Sequence, residues 1–466
     1  MWASDFLATA CAARVSGPAR EFSSVSTDTR SLKPGALYVA LRGENFDGHR
    51  FVERAIKVGA VGILASEPVD TGAEITLMQV ADTLVALQQM AHASRLAFDG
   101  PVVAVTGSNG KTTTKEMIAS VLRAHYGGGA VLATVGNLNN HIGVPLTLLA
   151  RKPSHRVAVI EMGMNHFGEI ALLTRLTEPT IAVITNAAPA HLEGVGTLAG
   201  VAEAKGEVFA GLRAGGVAVL NADDYYLPYW QVLNRERATI TFGRTANANA
   251  RGKSSAAPRS MLLHAVASSR TVGTMEIELP VEGEHNVSNA LAAAAVGRAL
   301  GVADEVIARG LADTVNVGGR LQSRAFINGT TLIDDSYNAN PASMRAAAQV
   351  LIGHATPRYV VLGDMGELGA SSDEMHESLA VDISKLPLDG VFTLGPRMKR
   401  VAHVFGSRGQ AFDDVDPLSE TLYQRLTPGA TLLVKGSRSM AMERVIKKLE
   451  QMSTAACGPC SPKGTA

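Results

Sequence analysis

The chain has 466 residues, too many for one ordinary hydrophobic core, and this length predicts two to four domains. Hydrophobic residues make up 46% and charged residues 18%, which indicates a folded globular protein rather than a disordered one. The 43 basic residues equal the 43 acidic residues, so no net charge favours nucleic acid or an anionic membrane, and local groups must hold any anionic ligand.

The first residues indicate neither a secretion signal nor a membrane anchor. A helix is predicted over residues 1–15, but it carries Asp5 and has no basic leader, unlike a signal peptide. No run of 18 apolar residues occurs, which argues against a membrane span. Three cysteines cannot build a disulfide framework, so we expect a cytoplasmic protein.

A polar stretch at Ser26–Arg30 is the first candidate binding element. Its serine, aspartate and arginine side chains, with the backbone amides of a turn, suit a diphosphate, although an ordinary surface turn would look the same. A helical pattern at 84–98 then gives way to Asp-Gly-Pro, which predicts a domain boundary near residue 99.

From residue 100 onward, short apolar runs alternate with helical patterns. Runs of this length predict buried parallel strands, here at 100–106, 157–161, 181–186, 217–221, 331–335, 359–364 and 431–435. Ligands bind at the carboxyl ends of the strands in open α/β sheets. The polar residues at those ends are Thr106, Glu161, Asn186, Asn221, Asp335 and Asp364.

We therefore predict an α/β protein of three domains. They are an N-terminal mixed α/β domain (1–99), a central nucleotide domain with a mostly parallel sheet (100–317) and a C-terminal Rossmann-like α/β domain (318–453). The segment 245–270 is predicted to be a loose loop or hairpin of the central domain. Cys457 and Cys460 have the spacing of a redox dithiol, but no strand or helix surrounds them, so 454–466 is predicted to be a disordered tail.

A glycine-rich loop lies between the predicted strand at 100–106 and a helical pattern. Such loops turn backbone N–H groups around phosphate oxygens, and a simple glycine turn is the alternative. Lys111 is expected to reach the β- and γ-phosphates, and Thr112 to ligate Mg²⁺. Val105 stands five residues before Gly110, where a glycine is usual, so we expect a tighter loop. The residues expected at the triphosphate are Gly107, Ser108, Asn109, Gly110, Lys111, Thr112 and Thr113.

Further along the chain, Glu161 and His191 suit a metal site, and Lys205 follows them. Glu161 ends a predicted strand, where a carboxylate suits a hard cation, although a helix cap or surface acid would look the same. His191 follows the predicted strand at 181–186, where a structural histidine is the alternative. Lys205 lies on a predicted helix between two glutamates, a pattern that on its own indicates a solvated lysine.

The second domain break carries a possible hinge. His285 and Asn289 precede an alanine-rich helix predicted at 290–300 and offer side chains that can hydrogen-bond a base. Arg320 follows a pair of glycines, which would let it swing onto phosphates. Asp335 ends a predicted strand, and an Asn/Pro turn then opens a helix, which capping would also explain.

These fragments occur in the order found in the Mur ligases, and the chain resembles that superfamily from near its start to about residue 450. The segments that carry the resemblance are Gly107–Thr113, Glu161–Gly163, Asn186 with His191, Ala204–Lys205 and Gly283–Asn286. The resemblance implies an ATP-dependent ligase with two Mg²⁺ ions, metal contacts for Glu161 and His191, and a carbamylated Lys205 that helps to hold the second ion. It also implies that His285 and Asn289 lie against the adenine, and that Asp335 contacts the nucleotide when the C-terminal domain closes.

Three segments, 136–145, 335–341 and 363–369, are similar to the family member that joins D-alanyl-D-alanine to a UDP-N-acetylmuramoyl tripeptide. The Asp-Asn-Pro-Arg signature of the diaminopimelate-adding member does not occur. The implied partners are these two substrates, without nucleic acid, and a monomer is expected. The expected UDP-substrate contacts are Ser26, Asp28, Arg30, Asn139 and Asn140, and the expected acceptor contacts are Tyr337, Asn338, Asn340 and Lys435.

Two other functions stay open from the sequence. One is a ligase of the same superfamily with another acceptor, including one that adds glutamate to folate. The other is a P-loop switch ATPase that makes no bond, but such a switch has no evident need for the set His191, Lys205 and Asp335.

Overall fold

The computed structural model describes residues 1–245, 248–254, 260–267 and 270–456. In its N-terminal third, a mixed sheet runs in the order β2-β9-β8-β5-β4, parallel except for β2 with β9. The elements are β1 (Trp2–Ala3), α1 (Ser4–Ala10), β2 (Arg14–Ser16), β3 (Glu21–Phe22), β4 (Val25–Ser26), β5 (Leu37–Val39), β6 (Arg42–Gly43), β7 (Phe46–Asp47), α2 (Val52–Val58), β8 (Gly62–Ala65), β9 (Thr76–Gln79) and α3 (Thr83–Leu96).

The single helix predicted over 1–15 is wrong at both ends. Trp2 pairs with Phe22 in a short strand, and α1 ends at Ala10. Ala12 then adopts a left-handed backbone with φ of 50°, which a continuing helix cannot accommodate. Arg14–Ser16 instead joins the edge of the sheet, so β pairing outcompetes helix propensity there.

The central third contains a nine-stranded sheet in the order β11-β12-β10-β13-β14-β15-β16-β17-β18. The strands from β11 to β16 in that order are parallel, and β17 and β18 complete it as an antiparallel hairpin. The elements are β10 (Val102–Thr106), α4 (Lys111–Tyr126), β11 (Val131–Ala133), α5 (Gly143–Leu149), β12 (Val157–Glu161), α6 (Glu169–Thr177), β13 (Ile181–Ile184), α7 (Leu192–Val195), α8 (Leu198–Gly206), β14 (Val217–Asn221), α9 (Leu227–Leu233), β15 (Ala238–Gly243), β16 (Ala250–Ser254), β17 (Ser260–Ala267), β18 (Arg270–Glu278), α10 (Glu284–Ala299) and α11 (Asp304–Ala312).

The predicted strands of this region all form, because each is an apolar run that lies buried between helices. The segment 245–270 is not a loose loop, because β16, β17 and the start of β18 lie in it. The hairpin alternative is confirmed, since β17 pairs antiparallel with β18. Its residues 246–247, 255–259 and 268–269 lie outside the described part. Helix α10 begins at Glu284, six residues earlier than predicted, so His285 and Asn289 lie within its first two turns.

The C-terminal third contains a sheet in the order β19-β20-β24-β21-β22-β23, parallel except for β19. Helix α16 continues to Ala456, so the tail predicted from residue 454 is wrong for its first three residues, and Cys457 and Cys460 lie outside the described residues. The elements are β19 (Gln322–Ala325), β20 (Thr331–Asp335), α12 (Pro341–Ile352), β21 (Arg358–Gly363), α13 (Ser372–Ser384), β22 (Gly390–Leu394), α14 (Lys399–Val404), β23 (Gly409–Phe412), α15 (Val415–Arg425), β24 (Thr431–Lys435) and α16 (Glu443–Ala456).

The first two units share one hydrophobic cluster, and each also has a cluster of its own. A single cluster of buried side chains runs from Trp2 in the first unit to Trp230 in the second. Across this boundary Arg95, which is 1% exposed, donates hydrogen bonds to the carbonyls of Thr177 (2.6 Å) and Glu178 (2.9 Å) at the end of α6. The C-terminal unit has separate clusters on the two faces of its sheet.

The exact boundaries at 99 and 317 stay predictions. None of the helices among the described residues is long and apolar enough to cross a bilayer.

Candidate active site

A cavity of about 680 Å³ lies between the central and C-terminal units, at the carboxyl ends of their strands. Nearly all of the residues that the sequence predicted for the site line this cavity. The exceptions are Gly107, Thr112 and Lys205, which are buried near its wall, and Ser26, Asp28 and Arg30, which lie on the N-terminal unit. Residues as far apart in the chain as Ser108 and Lys435 thus meet at one place.

The glycine-rich loop depends on two glycines. Gly107 and Gly110 both have positive φ, of 142° and 78°. A Cβ atom on Gly107 would lie 1.9 Å from Oγ1 of Thr185, and one on Gly110 would lie 2.3 Å from Oδ1 of Asn289. Neither position accepts a side chain, so the loop packs tightly against the next strand end and the start of α10.

Lys111 curls back over this loop at the first position of α4. Its Nζ donates to the carbonyls of Gly107 (2.7 Å) and Ser108 (3.2 Å). Burial lowers the pKa of Lys111, and the nearby Glu161 carboxylate opposes that shift. The ammonium group therefore lies beside the amino terminus of α4, where free backbone N–H groups and the helix dipole favour an anion.

Glu161 and Thr112 form a buried pair suited to a hard cation. Thr112 Oγ1 donates to Glu161 Oε2 at 2.8 Å, and Asn139 Nδ2 donates to the other carboxylate oxygen at 2.8 Å. Glu161 is only 2% exposed, and its carboxylate faces the cavity. Hydroxyl and carboxylate oxygens are the ligands that Mg²⁺ prefers, so this donor set fits the ion that the sequence predicted.

A second layer of contacts holds Glu161 in place. Its backbone N–H donates to Oγ1 of Thr134 at 2.9 Å. The buried Lys115 donates to the carbonyl of the same Thr134 at 2.8 Å and pairs with Glu116. Lys115 was not predicted from the sequence, although its place one turn after Lys111 on α4 puts it close to the same strand ends.

His191 contacts a carboxylate from the other unit. Its Nδ1 lies 2.7 Å from Oε2 of Glu367, which stands in the loop after β21, although the ring N–H is not aligned as a hydrogen bond. Both residues have left-handed backbones, with φ of 57° and 61°. Burial lowers the pKa of His191, and the contact with His191 lowers that of Glu367. The sequence placed segment 363–369 at a strand end but did not single out Glu367.

Lys205 is fully buried, so the alternative of a solvated lysine is wrong. Its Nζ has no hydrogen-bond partner among the described residues. Burial lowers the pKa of this amine well below its usual range, and the positive charge of Lys111 lowers it further. A buried amine without a partner is costly, which indicates that the folded site is completed by a further group.

The residues that the sequence predicted to contact the nucleotide belong to both units. Burial and the charge of Lys435 lower the pKa of His285 to about 4, so its imidazole is neutral at pH 7. The Arg320 guanidinium lies 4.2 Å from the centroid of the Tyr337 ring. Lys435 Nζ lies 2.5 Å from Asp335 Oδ2, and burial raises the pKa of that acid against the pull of Lys435.

The three residues predicted at the N-terminal unit form a local turn. Ser26 Oγ donates to the carbonyl of Asp28 at 3.1 Å, and Arg30 pairs with the Asp28 carboxylate at 2.6 Å. The pair with Arg30 lowers the pKa of Asp28 to about 2. Their role in UDP binding stays a prediction. Asn139 lines the cavity instead, directly on Glu161.

Comparison with known proteins gives matches along most of the chain. Three family models match: "Mur ligase family, catalytic domain" at residues 21–95, "Mur ligase middle domain" at 105–297 and "Mur ligase, glutamate ligase domain" at 319–438. The chain is 42% identical over 434 residues to the UDP-N-acetylmuramoyl-tripeptide–D-alanyl-D-alanine ligase of Escherichia coli K12, covering 92% of this chain and 94% of that protein.

Solved structures give the same result. The crystal structure of MurF from Acinetobacter baumannii is 35% identical, with a TM-score of 0.87 over 97% of this chain and 99% of that one. MurF ligase from Thermotoga maritima, solved in complex with ADP, is 29% identical, with a TM-score of 0.80 over 93% and 98%.

Proposed function

Because the chain belongs to the Mur ligase family, we propose that it is the ATP-dependent, ADP-forming ligase that adds D-alanyl-D-alanine to UDP-N-acetylmuramoyl tripeptide in peptidoglycan precursor synthesis. The observation that carries the proposal is the single cavity in which the phosphate loop, a buried carboxylate–hydroxyl pair and a set of C-terminal polar residues meet. We place the activity in the cytoplasm, where ATP and a nucleotide-linked precursor are supplied.

The reaction begins when the terminal carboxylate of the tripeptide attacks the γ-phosphate of ATP, which releases ADP and leaves an acyl phosphate. Lys111 and the amino terminus of α4 stabilise the negative charge on the transferred group. The amine of D-alanyl-D-alanine then attacks the acyl carbon, and phosphate leaves. Arg320, which lines the cavity directly after Gly319, would contact the phosphates.

Thr112 and Glu161 would hold a Mg²⁺ ion at the phosphates, since their oxygens already share one small buried space. The ion supplies charge neutralisation on the phosphate oxygens. His191 and Lys205 would hold a second ion, with Lys205 as a carbamate. The neutral Nζ adds to the carbon of CO₂ and loses a proton, which turns a costly buried amine into an anion.

The C-terminal unit closes the site against water. His191 and Glu367 meet across the interface, and Asn340 contacts Asn109. Water would hydrolyse the acyl phosphate, so this closed arrangement protects the intermediate. Tyr337, Asn338 and Lys435 remain the proposed acceptor contacts on the same wall of the cavity.

The direct test is to incubate the protein with ATP, Mg²⁺, D-alanyl-D-alanine and UDP-N-acetylmuramoyl tripeptide, and to measure ADP release and the pentapeptide product by mass. Omission of the tripeptide should stop ADP release. Omission of the dipeptide should limit ADP release to a single turnover, because the acyl phosphate then has no amine to react with. Steady ATP hydrolysis without the dipeptide, and no pentapeptide, would instead indicate a switch ATPase.

A further inference from the structure

Asn340 uses the two halves of its side-chain amide for different purposes. It is the N-cap of α12, where Oδ1 accepts the N–H of Ser343 at 2.9 Å and the Asn340 N–H donates to Ser343 Oγ at 3.0 Å. The Nδ2 atom points the other way and donates to Oδ1 of Asn109 at 2.7 Å. The residue is 8% exposed. One side chain therefore joins a helix of the C-terminal unit to the phosphate loop of the central unit.

The backbone of Asn109 is already fixed by its own unit. Its N–H donates to Oδ1 of Asn186 at 3.0 Å, and its carbonyl accepts from Asn186 Nδ2 (3.1 Å) and from Thr185 Oγ1 (2.7 Å). Its side-chain oxygen, in contrast, is held by the other unit, through Asn340. Asn109 lines the cavity, and its Oδ1 faces Asn340. Its Nδ2 can therefore present two N–H donors to a ligand in the cavity.

We propose that Asn340 is a positioning residue for the triphosphate and not primarily an acceptor contact. When the C-terminal unit closes, Asn340 orients the Asn109 amide so that Nδ2 donates to a phosphate oxygen. An unheld Asn109 amide can rotate by a half turn and present an oxygen to the phosphate, which repels it. The phosphate site is thus completed by a residue of another unit, and ATP affinity is linked to closure.

This inference rests on the proposed function for the identity of the nucleotide, but it can be tested on binding alone. Asn340→Ser keeps a side-chain oxygen for the cap yet is too short to reach Asn109. Asn340→Asp also keeps the cap, but its carboxylate accepts and cannot donate, so it should turn the Asn109 amide the wrong way. Asp82→Ser is the matched control, because Asp82 caps α3 in the N-terminal unit and does not line the cavity.

The measurements are the melting temperature, the Kd for ATP without acceptor, and kcat with the KM of each substrate. The Asn340→Ser variant should have the melting temperature of the wild type. Its Kd for ATP should rise about fivefold and its kcat should fall about fivefold, while its KM for D-alanyl-D-alanine should stay unchanged. Asn340→Asp should weaken ATP binding more than tenfold, and Asp82→Ser should change none of these values. Asn109→Ala should match Asn340→Ser, and the double variant should be no worse than Asn109→Ala alone.

Two results would overturn the inference. A raised KM for the dipeptide with normal ATP affinity would make Asn340 an acceptor contact, and losses that multiply in the double variant would give the two residues separate roles. A wild-type protein that binds ATP but forms no pentapeptide would refute the proposed function, while the comparison of ATP affinities would still decide the role of Asn340.

Discussion

Replacement of Gly110 by alanine tests the tight packing of the phosphate loop, and Gly168→Ala is its matched control. Both glycines are N-caps with left-handed backbones, at φ 78°, ψ −1° and φ 85°, ψ −18°. A Cβ on Gly168 meets no atom within 4 Å, whereas one on Gly110 would lie 2.3 Å from Oδ1 of Asn289. Both variants carry a backbone cost of about 1–2 kcal/mol. Only Gly110→Ala adds overpacking, at about 1–3 kcal/mol.

Urea unfolding followed by tryptophan fluorescence measures this difference, because both tryptophans lie in the core shared by the first two units. Gly110→Ala should lose about 1–3 kcal/mol more than Gly168→Ala. It should also weaken ATP binding, since Asn289 must shift from the loop, whereas Gly168→Ala should bind ATP normally. Equal losses in the two variants, or normal ATP affinity in Gly110→Ala, would refute the packing argument.

Three further predictions concern single charged or titratable groups. Lys111→Met should abolish ADP release while the circular dichroism spectrum stays unchanged, because its ammonium is the cation beside the phosphate loop; product formation near the wild-type rate would remove it from the mechanism. Lys205 in ¹³CO₂-saturated buffer should give a carbamate carbon signal that Lys205→Ala lacks, and no difference between the two spectra would exclude the carbamate. The pKa of His285 falls to about 4, below the ordinary value of about 6.5, so acid favours the unfolded state and stability is lost as pH falls from about 6.5 towards 4. His285→Gln should reduce that loss in urea unfolding at pH 7 and 4.5, and an unchanged pH dependence would contradict the buried neutral imidazole.

The strands and the residues at their ends could be predicted from the sequence, because each is a local pattern. The run before Thr106 is apolar, bounded by turn residues and followed by a glycine loop, and it forms β10 as predicted. The same reasoning placed Glu161 at the end of β12. At the amino terminus, local propensity favoured one helix over 1–15, but pairing with a strand far along the chain decided the outcome.

The roles that depend on contacts between units could not be predicted. Lys205 looks solvated beside two glutamates, and only the packed structure shows that its amine is buried. Asn340 looks like a helix cap or an acceptor contact, and its bond to Asn109 joins positions 231 apart in sequence. Glu367 meets His191 only because two separate sheets place their loops at one cavity. No sequence spacing encodes such distances.

The hydrophobic cluster that the first two units share fixes the distance between the proposed uridine diphosphate site and the phosphate loop. Arg95 and the buried side chains around Trp2 join these two units, whereas most buried side chains of the third unit pack in clusters of its own. With uridine diphosphate at Ser26–Arg30, as proposed, the attacking carboxylate must span a set length to reach the phosphate loop. A precursor with one residue fewer or one more would place its carboxylate short of that point or beyond it, so the protein would select peptide length before it reads any side chain.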